Sequence, residues 1–171
     1  EEQDRVPVEQ MIMSTGDRQA WSALDETQVL TLIRQQGFSA RHVVITGGEP
    51  LLYPLDVLTS RLKAAGLEIF LETSGTHPFS GEFDWVCLSP KRQQPPLAEA
   101  FGRAHELKVI IQTEDDFQWA EDNARRVGRY CRLYMQPEWS VYDDIINRCK
   151  QCNIEPWLMF ETLYRETSYI K

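Results

Sequence analysis

Residues 42–50 read HVVITGGEP, and this stretch shows the local pattern that the rest of the chain repeats. The run His42–Ile45 is short, apolar and β-branched, which predicts a strand. Gly47 and Gly48 followed by Pro50 predict a tight turn at its carboxyl end, leading toward a helix. A strand that turns into a helix is the repeating unit of parallel α/β folds.

Short apolar runs recur along the chain, and amphipathic helical segments separate most of them. The predicted strands are His42–Ile45, Glu68–Leu71, Trp85–Leu88, Lys108–Ile111, Arg132–Met135 and Trp157–Phe160. The predicted helices begin after a cap at Asp25 with Gln28 as its capping-box partner, at Pro54, at Leu97, at Thr113 and at Ser140. Residues 76–82 are predicted to be a loop. The alternation favours an α/β fold with parallel strands.

Length and composition limit the class of protein. The chain has 171 residues with 42% hydrophobic residues, which is enough for one buried core. A net charge of −8 argues against a nucleic-acid-binding surface, and four cysteines are too few for a disulfide scaffold. No apolar run approaches the ~20 residues that span a membrane. We expect one cytoplasmic domain over residues 1–171, with an irregular segment at 1–22 and no nucleic-acid or membrane partner.

Polar residues follow nearly every predicted strand at its carboxyl end. They are Thr46-Gly47-Gly48-Glu49-Pro50, Glu72-Thr73-Ser74-Gly75-Thr76, Ser89-Pro90-Lys91, Gln112-Thr113, Gln136-Pro137-Glu138 and Glu161-Thr162. The carboxyl ends of adjacent parallel strands meet at one edge of the sheet, so these groups predict a polar small-molecule site there. The first turn exposes backbone N–H groups beside a carboxylate, which suits a ligand carrying both an ammonium and a carboxylate group.

Each of these features also has a plain structural interpretation. Gly47-Gly48 and Ser74-Gly75 are typical of turns, and a lysine near a strand end, such as Lys91, is usually solvated. Their joint occurrence favours a site. The pair Cys149-x-x-Cys152 resembles half a zinc site or a redox pair, but it lies in a predicted helix and no second pair follows. We therefore expect no metal ligands in this chain.

The ordered set TGGEP at 46–50, ETSGT at 72–76, SPK at 89–91 and Gln136-Pro137 resembles the 7-carboxy-7-deazaguanine synthases. These are radical S-adenosylmethionine enzymes of queuosine and deazapurine biosynthesis. The resemblance implies an incomplete (βα) barrel of the radical S-adenosylmethionine type, with mostly parallel strands and outer helices. It also implies a lyase-type ring contraction of 6-carboxy-5,6,7,8-tetrahydropterin to 7-carboxy-7-deazaguanine.

The resemblance further implies cofactors, partners and site residues. The cofactors are S-adenosylmethionine, a [4Fe–4S] cluster that cleaves it, and Mg²⁺; the partners are the pterin substrate, an external electron donor such as a flavodoxin, and a second copy in a homodimer. No catalytic residue is identified. The implied cofactor-binding residues are Gly47, Gly48, Glu49, Glu72, Ser89, Pro90, Lys91, Gln136, Pro137, Glu138 and Trp139, and the implied substrate-binding residues are Thr46, Thr73 and Ser74.

The sequence departs from the family pattern at both ends. The family holds its cluster with three closely spaced cysteines after its first strand, and no such trio occurs here; Cys149 and Cys152 are not substitutes. We expect the cluster-binding segment to be absent from this sequence. The stretch Glu161-Thr162-Leu163-Tyr164 stands where members carry Gln-Thr-His-Lys, so we expect the substrate-contacting end to differ.

Two other functions fit part of the pattern. A non-catalytic ligand-binding or regulatory domain could keep the barrel without the cluster, and bind a pterin, a purine-like ligand or a protein. A different radical S-adenosylmethionine enzyme, such as a glycyl-radical activase, would share GGEP but not the ETSGT and SPK motifs. Iron and sulfide content separates the first alternative from the synthase, and turnover of the tetrahydropterin separates the second.

Overall fold

The computed structural model describes residues 5–12, 21–141, 145 and 158–159. The chain divides into two compact units, one comprising residues 1–39 and 162–171 and the other residues 40–161. Among the described residues, no helix is both long enough and apolar enough to cross a membrane.

The first unit contains α1 (Val8–Ile12) and α2 (Glu26–Gln35). The predicted capping box at the start of α2 is confirmed. The Asp25 carboxylate accepts a hydrogen bond from the Gln28 backbone N–H, and the Gln28 side chain accepts one from the Asp25 N–H, both at 2.8 Å. Because these four atoms lie within one helical turn, the local sequence alone was enough to predict where α2 begins.

The second unit contains a six-stranded sheet whose strands all run parallel, in the order β1-β2-β3-β4-β5-β6. The strands are β1 (His42–Ile45), β2 (Glu68–Thr73), β3 (Trp85–Leu88), β4 (Glu106–Ile111), β5 (Arg132–Pro137) and β6 (Leu158–Met159). Strands that pair in chain order are the arrangement of a (βα) barrel. β1 and β6 are the two edge strands of this sheet, so the sheet is not closed into a barrel within the part of the chain that the structure describes, and the predicted α/β class is confirmed.

Helices cover one face of this sheet. α3 (Asp56–Ala64) contacts β2, α4 (Ala98–Arg103) contacts β3, and α5 (Asp115–Ala124) contacts β4. Alternate strand residues form the core beneath these helices: Ile69, Leu71, Val86, Leu88, Leu107, Val109, Ile111 and Met135. The opposite face, which we call the open face, carries polar and aromatic side chains. There a cavity of about 510 Å³ is lined by Val44, Phe70, Glu72, Trp85, Cys87, Glu106, Lys108 and Arg132, together with Leu71.

Several predicted boundaries were wrong at their ends. β2 extends to Thr73, β4 begins at Glu106 and β5 extends to Pro137, because pairing with neighbouring strands carries each one past its apolar run. The helix predicted to begin at Pro54 begins at Asp56 and follows a 3₁₀ turn over Pro50–Leu52. Pairing partners distant in sequence set such ends, so local periodicity does not locate them.

The helix predictions further along the chain had mixed outcomes. The helix predicted at Leu97 is α4, and the loop at 76–82 is confirmed. The helix predicted to open at Thr113 begins at Asp115 instead. Ser140 lies in a 3₁₀ turn, Trp139–Val141, and Ile145 is helical and buried. The cysteines at 149 and 152 and the stretch 161–164 lie outside the described residues.

Candidate site at the carboxyl ends of the strands

The carboxyl ends of β1 and β2 are joined through the carboxylate of Glu49. Its Oε1 accepts hydrogen bonds from the Leu51 N–H at 3.1 Å and the Thr73 hydroxyl at 2.6 Å. Its Oε2 accepts from the Ser74 N–H at 2.8 Å and from the Ser74 hydroxyl. We call Glu49, Thr73 and Ser74 the Glu49 cluster. The TGGEP and ETSGT motifs are therefore fixed to each other by direct contacts, as the shared edge predicts.

The same contacts determine the ionisation of Glu49. Partial burial of the carboxyl opposes ionisation, but the donors from Ser74, Thr73 and Leu51 together hold its pKa below the usual range. A carboxyl with a lowered pKa in the folded state adds stability above its unfolded pKa of about 4.3, and that stability is lost as the pH falls through the folded value.

We expect Glu49→Gln to lower the free energy of unfolding by about 1–3 kcal/mol at pH 7, since one amide oxygen replaces two charged acceptors facing four donors. The difference from wild type should shrink as the pH falls below the unfolded pKa of about 4.3, because the stability from the ionised carboxylate is lost as the pH falls through the lowered folded pKa. Urea denaturation at pH 7 and pH 3.5 measures both effects. Glu68→Gln, which removes the exposed pair with His42, is the control, and an equal loss in both variants would contradict the cluster's role.

The turn after β1 leaves its backbone accessible. Gly48 is exposed, has a φ of +28°, and has no heavy atom within 4 Å of the position of an added β-carbon. Thr46, which begins the same turn, is also exposed. A ligand can therefore approach the main chain here without meeting a side chain.

The SPK segment continues the same edge after β3. The Ser89 N–H donates to the Thr73 carbonyl at 2.8 Å, and the Lys91 Nζ donates to the Ser89 hydroxyl at 3.3 Å. Burial and the nearby Lys108 ammonium lower the pKa of Lys91, while Glu72 and Glu49 act in the opposite direction. Lys91 is therefore a cation within electrostatic reach of Glu49, Glu72 and Lys108. We call the shared edge of β1, β2 and β3, residues 46–49, 72–74 and 89–91, the rim.

A partly buried ion pair outside the predicted site holds the SPK segment in place. Arg92 Nε donates to Asp116 Oδ1 at 2.8 Å, while Asp116 Oδ2 accepts from the N–H groups of Gln112 and Thr113 at 2.9 and 2.8 Å. The Arg92 guanidinium also lies over the Trp119 ring at 5.4 Å. Burial raises the pKa of Asp116, but these donors outweigh it and the pKa is lowered. The sequence analysis missed both residues, and no local spacing signals a pair this far apart.

Lys108 on the open face was also missed as a site residue. Its ammonium donates to Glu72 across β3, and only 12% of the Lys108 side chain is exposed. The signal was present in the sequence, because Lys108 alternates with the buried Leu107 and Val109 and so faces away from the core. Between the two charges lies Cys87, whose thiol pKa is raised by burial and by the Glu106 carboxylate.

The predicted site residues at the end of β5 follow a strand two positions along the sheet from β3. The Glu138 N–H donates to the Ile111 carbonyl at 2.8 Å, and the Glu138 carboxylate accepts from the Ser140 N–H at 2.9 Å. Gln136 pairs with Ile110 on β4, and Pro137 is buried. Since β4 separates β5 from β3, these residues do not share the Glu49 cluster. The Trp139 side chain is outside the described part of the chain.

No group of three or more His, Cys, Asp or Glu side chains that could hold a metal ion occurs in the described residues. Two cysteines are described there, Cys87 on β3 and Cys131 just before β5, and both are free thiols. Burial raises the pKa of Cys131 to about 11, with the Glu106 carboxylate adding to the effect. Protonated thiols on separate strands are poor metal ligands.

The amino-acid sequence is similar to those of several proteins that are named 7-carboxy-7-deazaguanine synthase. It is 42% identical over 130 residues to the 7-carboxy-7-deazaguanine synthase of Flavobacterium psychrophilum, which is 75% of this chain and 62% of that protein. It is 48% identical over 116 residues to the 7-carboxy-7-deazaguanine synthase of Synechocystis sp., which is 67% of this chain and 56% of that protein. The chain thus spans about three fifths of these relatives. No protein-family model matches it.

Among solved structures, the chain is similar to the crystal structure of QueE from Escherichia coli. The TM-score is 0.77 and the sequence identity 29%, covering 93% of this chain and 73% of that chain. The parallel sheet described above is therefore an architecture that also occurs in a solved protein.

Proposed function

We propose that this chain is a member of the 7-carboxy-7-deazaguanine synthase family and that it forms the ligand-binding part of an enzyme of that activity. The reaction is the ring contraction of 6-carboxy-5,6,7,8-tetrahydropterin to 7-carboxy-7-deazaguanine, a radical S-adenosylmethionine lyase step of queuosine and deazapurine biosynthesis. One observation carries the proposal: the Glu49 cluster joins the TGGEP and ETSGT motifs at the same edge as SPK.

The groups at the rim suit a zwitterionic ligand. The exposed backbone at Gly48 offers hydrogen-bonding groups, the Lys91 ammonium can pair with a carboxylate, and the Glu72 carboxylate can pair with an ammonium. S-adenosylmethionine carries both charges, so these residues fit it. When bound, it supplies the deoxyadenosyl radical that removes a hydrogen atom from the substrate. We propose Thr46, Thr73 and Ser74 as the residues nearest the pterin.

The described cysteines do not fit an iron–sulfur cluster. Cys87 and Cys131 are two rather than three, and burial keeps both thiols protonated. We therefore derive no step through the cluster from these residues. From the family we further propose that the whole protein holds a [4Fe–4S] cluster and uses Mg²⁺. We also propose that it receives electrons from an external donor such as a flavodoxin, forms a homodimer and is cytoplasmic.

The proposal is tested on protein expressed from the intact gene and purified without oxygen. We expect it to contain iron and sulfide. With S-adenosylmethionine, Mg²⁺ and reduced flavodoxin, it should convert 6-carboxy-5,6,7,8-tetrahydropterin to 7-carboxy-7-deazaguanine, detected by chromatography and mass spectrometry. Bound S-adenosylmethionine without iron would instead indicate a ligand-binding domain, and an iron–sulfur protein that leaves the pterin unchanged would indicate a different radical enzyme.

A further inference from the structure

The ion pair between Glu72 and Lys108 spans three strands of the open face. Glu72 on β2 is in register with Cys87 on β3, and Cys87 is in register with Glu106 on β4. Lys108 lies two residues beyond Glu106, so its side chain crosses β3 diagonally to reach Glu72. The side chain at position 87 is small and buried, and its raised thiol pKa keeps it uncharged, so it adds no charge between Glu72 and Lys108.

A contribution to the stability of the fold does not by itself explain why this ion pair is present. Taking a lysine ammonium largely out of water costs free energy, and ion pairs of this kind commonly return little or none of it as net stability. Yet Lys108 is only 12% exposed, whereas its partner Glu72 is 38% exposed. Both side chains line the cavity, and the more buried Lys108 holds the more exposed Glu72.

The second oxygen of Glu72 is left available. Oε1 accepts the hydrogen bond from Lys108, and Oε2 accepts none from any residue that the structure describes. Lys91 lies close enough to act on the same region electrostatically, and Glu106 contacts Cys87 at 3.4 Å from the other side. A carboxylate with one oxygen held by an ammonium and no donor on the other among the described residues is an oriented acceptor.

We infer that Lys108 is a positioning residue whose ammonium fixes Glu72 Oε1, so that Oε2 accepts a hydrogen bond from an N–H donor of the bound ligand. This inference rests on the proposed function. Two ligands of that reaction carry such donors: the α-ammonium of S-adenosylmethionine and the amino-pyrimidinone edge of the pterin. Either ligand would donate an N–H group to Glu72 Oε2, and separate KM measurements for each ligand show which of them does so.

The test measures kcat and KM for S-adenosylmethionine and for 6-carboxy-5,6,7,8-tetrahydropterin separately, in active protein from the intact gene. Lys108→Met keeps the length and apolar packing of the side chain, and it leaves Glu72 partly hydrated rather than buried without a partner. We expect KM for one of the two ligands to rise by about tenfold to a hundredfold, the effect of misplacing one charge-assisted hydrogen bond. Lys108→Arg should restore most of that loss.

Lys63→Met is the matched control, because it removes an ion pair of 2.6 Å with Asp84 outside the open face and should change neither KM. A KM rise confined to one ligand and rescued by arginine supports the inference. Unchanged constants, or equal losses for both ligands, overturn it. Should Lys108→Met fail to fold, Lys108→Gln is judged by the same criteria. Absence of turnover in the wild type would contradict the proposed function instead.

Discussion

The Gly75→Ala substitution is expected to lower the free energy of unfolding by roughly 2–5 kcal/mol. An added β-carbon at this position would lie 2.6 Å from Leu88 Cδ1, 2.7 Å from Ala100 Cβ and 3.2 Å from Pro96 Cβ. Leu88 and Ala100 are fully buried, so neither can move without disturbing the core. Overpacking of this kind costs about 1–3 kcal/mol, and the left-handed backbone adds about 1–2 kcal/mol for a residue with a side chain.

Gly66→Ala separates the two contributions. Gly66 has a φ of +78°, close to the +71° of Gly75, but no heavy atom lies within 4 Å of its added β-carbon. This control should therefore lose only the backbone part, about 1–2 kcal/mol. Thermal and urea denaturation followed by circular dichroism measure both variants, and Gly75→Ala should melt roughly 10 °C below wild type. Equal losses in the two variants would show that close packing at Gly75 is unimportant.

The Gly48→Val substitution is expected to weaken S-adenosylmethionine binding by at least about a hundredfold while the protein stays folded. The valine side chain would occupy the open space beside an exposed turn of the rim, where the ligand is proposed to approach the backbone. Its φ of +28° also disfavours a β-branched residue, so the turn itself would be distorted. Steric exclusion and turn distortion act in the same direction.

Gly66→Val again serves as the control, since it places the same side chain at a positive φ in open space before β2, at the opposite end of the sheet from the rim. Titration calorimetry with S-adenosylmethionine measures the affinity of both variants. We expect Gly66→Val to bind like wild type after correction for its folded fraction. Equal affinities of Gly48→Val and wild type would remove Gly48 from the proposed site.

The strands and most helices were predictable because their signals are local. The capping box at Asp25 and Gln28 and the alternation of buried and exposed residues along β4 each arise within a few residues of chain. Helix starts were less reliable. α5 was predicted to open at Thr113 but begins at Asp115, because the first backbone bonds, from the Asp116 and Phe117 N–H groups to the Thr113 and Glu114 carbonyls, span three residues and form a tighter turn ahead of the α-helix.

The common edge of the three motifs was predictable from the sequence, but their contacts were not. Parallel strand ends place the TGGEP, ETSGT and SPK motifs at one edge, and the structure brings them together there. The sequence did not predict that both carboxylate oxygens of Glu49 accept hydrogen bonds from the same chain, including those from Thr73 and Ser74. The same is true of Lys108, which sits on β4, outside every motif.

The amino-acid sequence by itself determined that the chain alternates strands and helices, that its strands are parallel, and which polar groups follow each strand. Those properties depend on side-chain period, turn residues and caps, all of which act over short stretches of chain. Only the tertiary structure decided the partners of those groups. Glu49 with Ser74, Arg92 with Asp116 and Glu72 with Lys108 are 25, 24 and 36 residues apart, and the pairing of the strands together with the turns and the helix that follow them brings each pair into hydrogen-bonding distance.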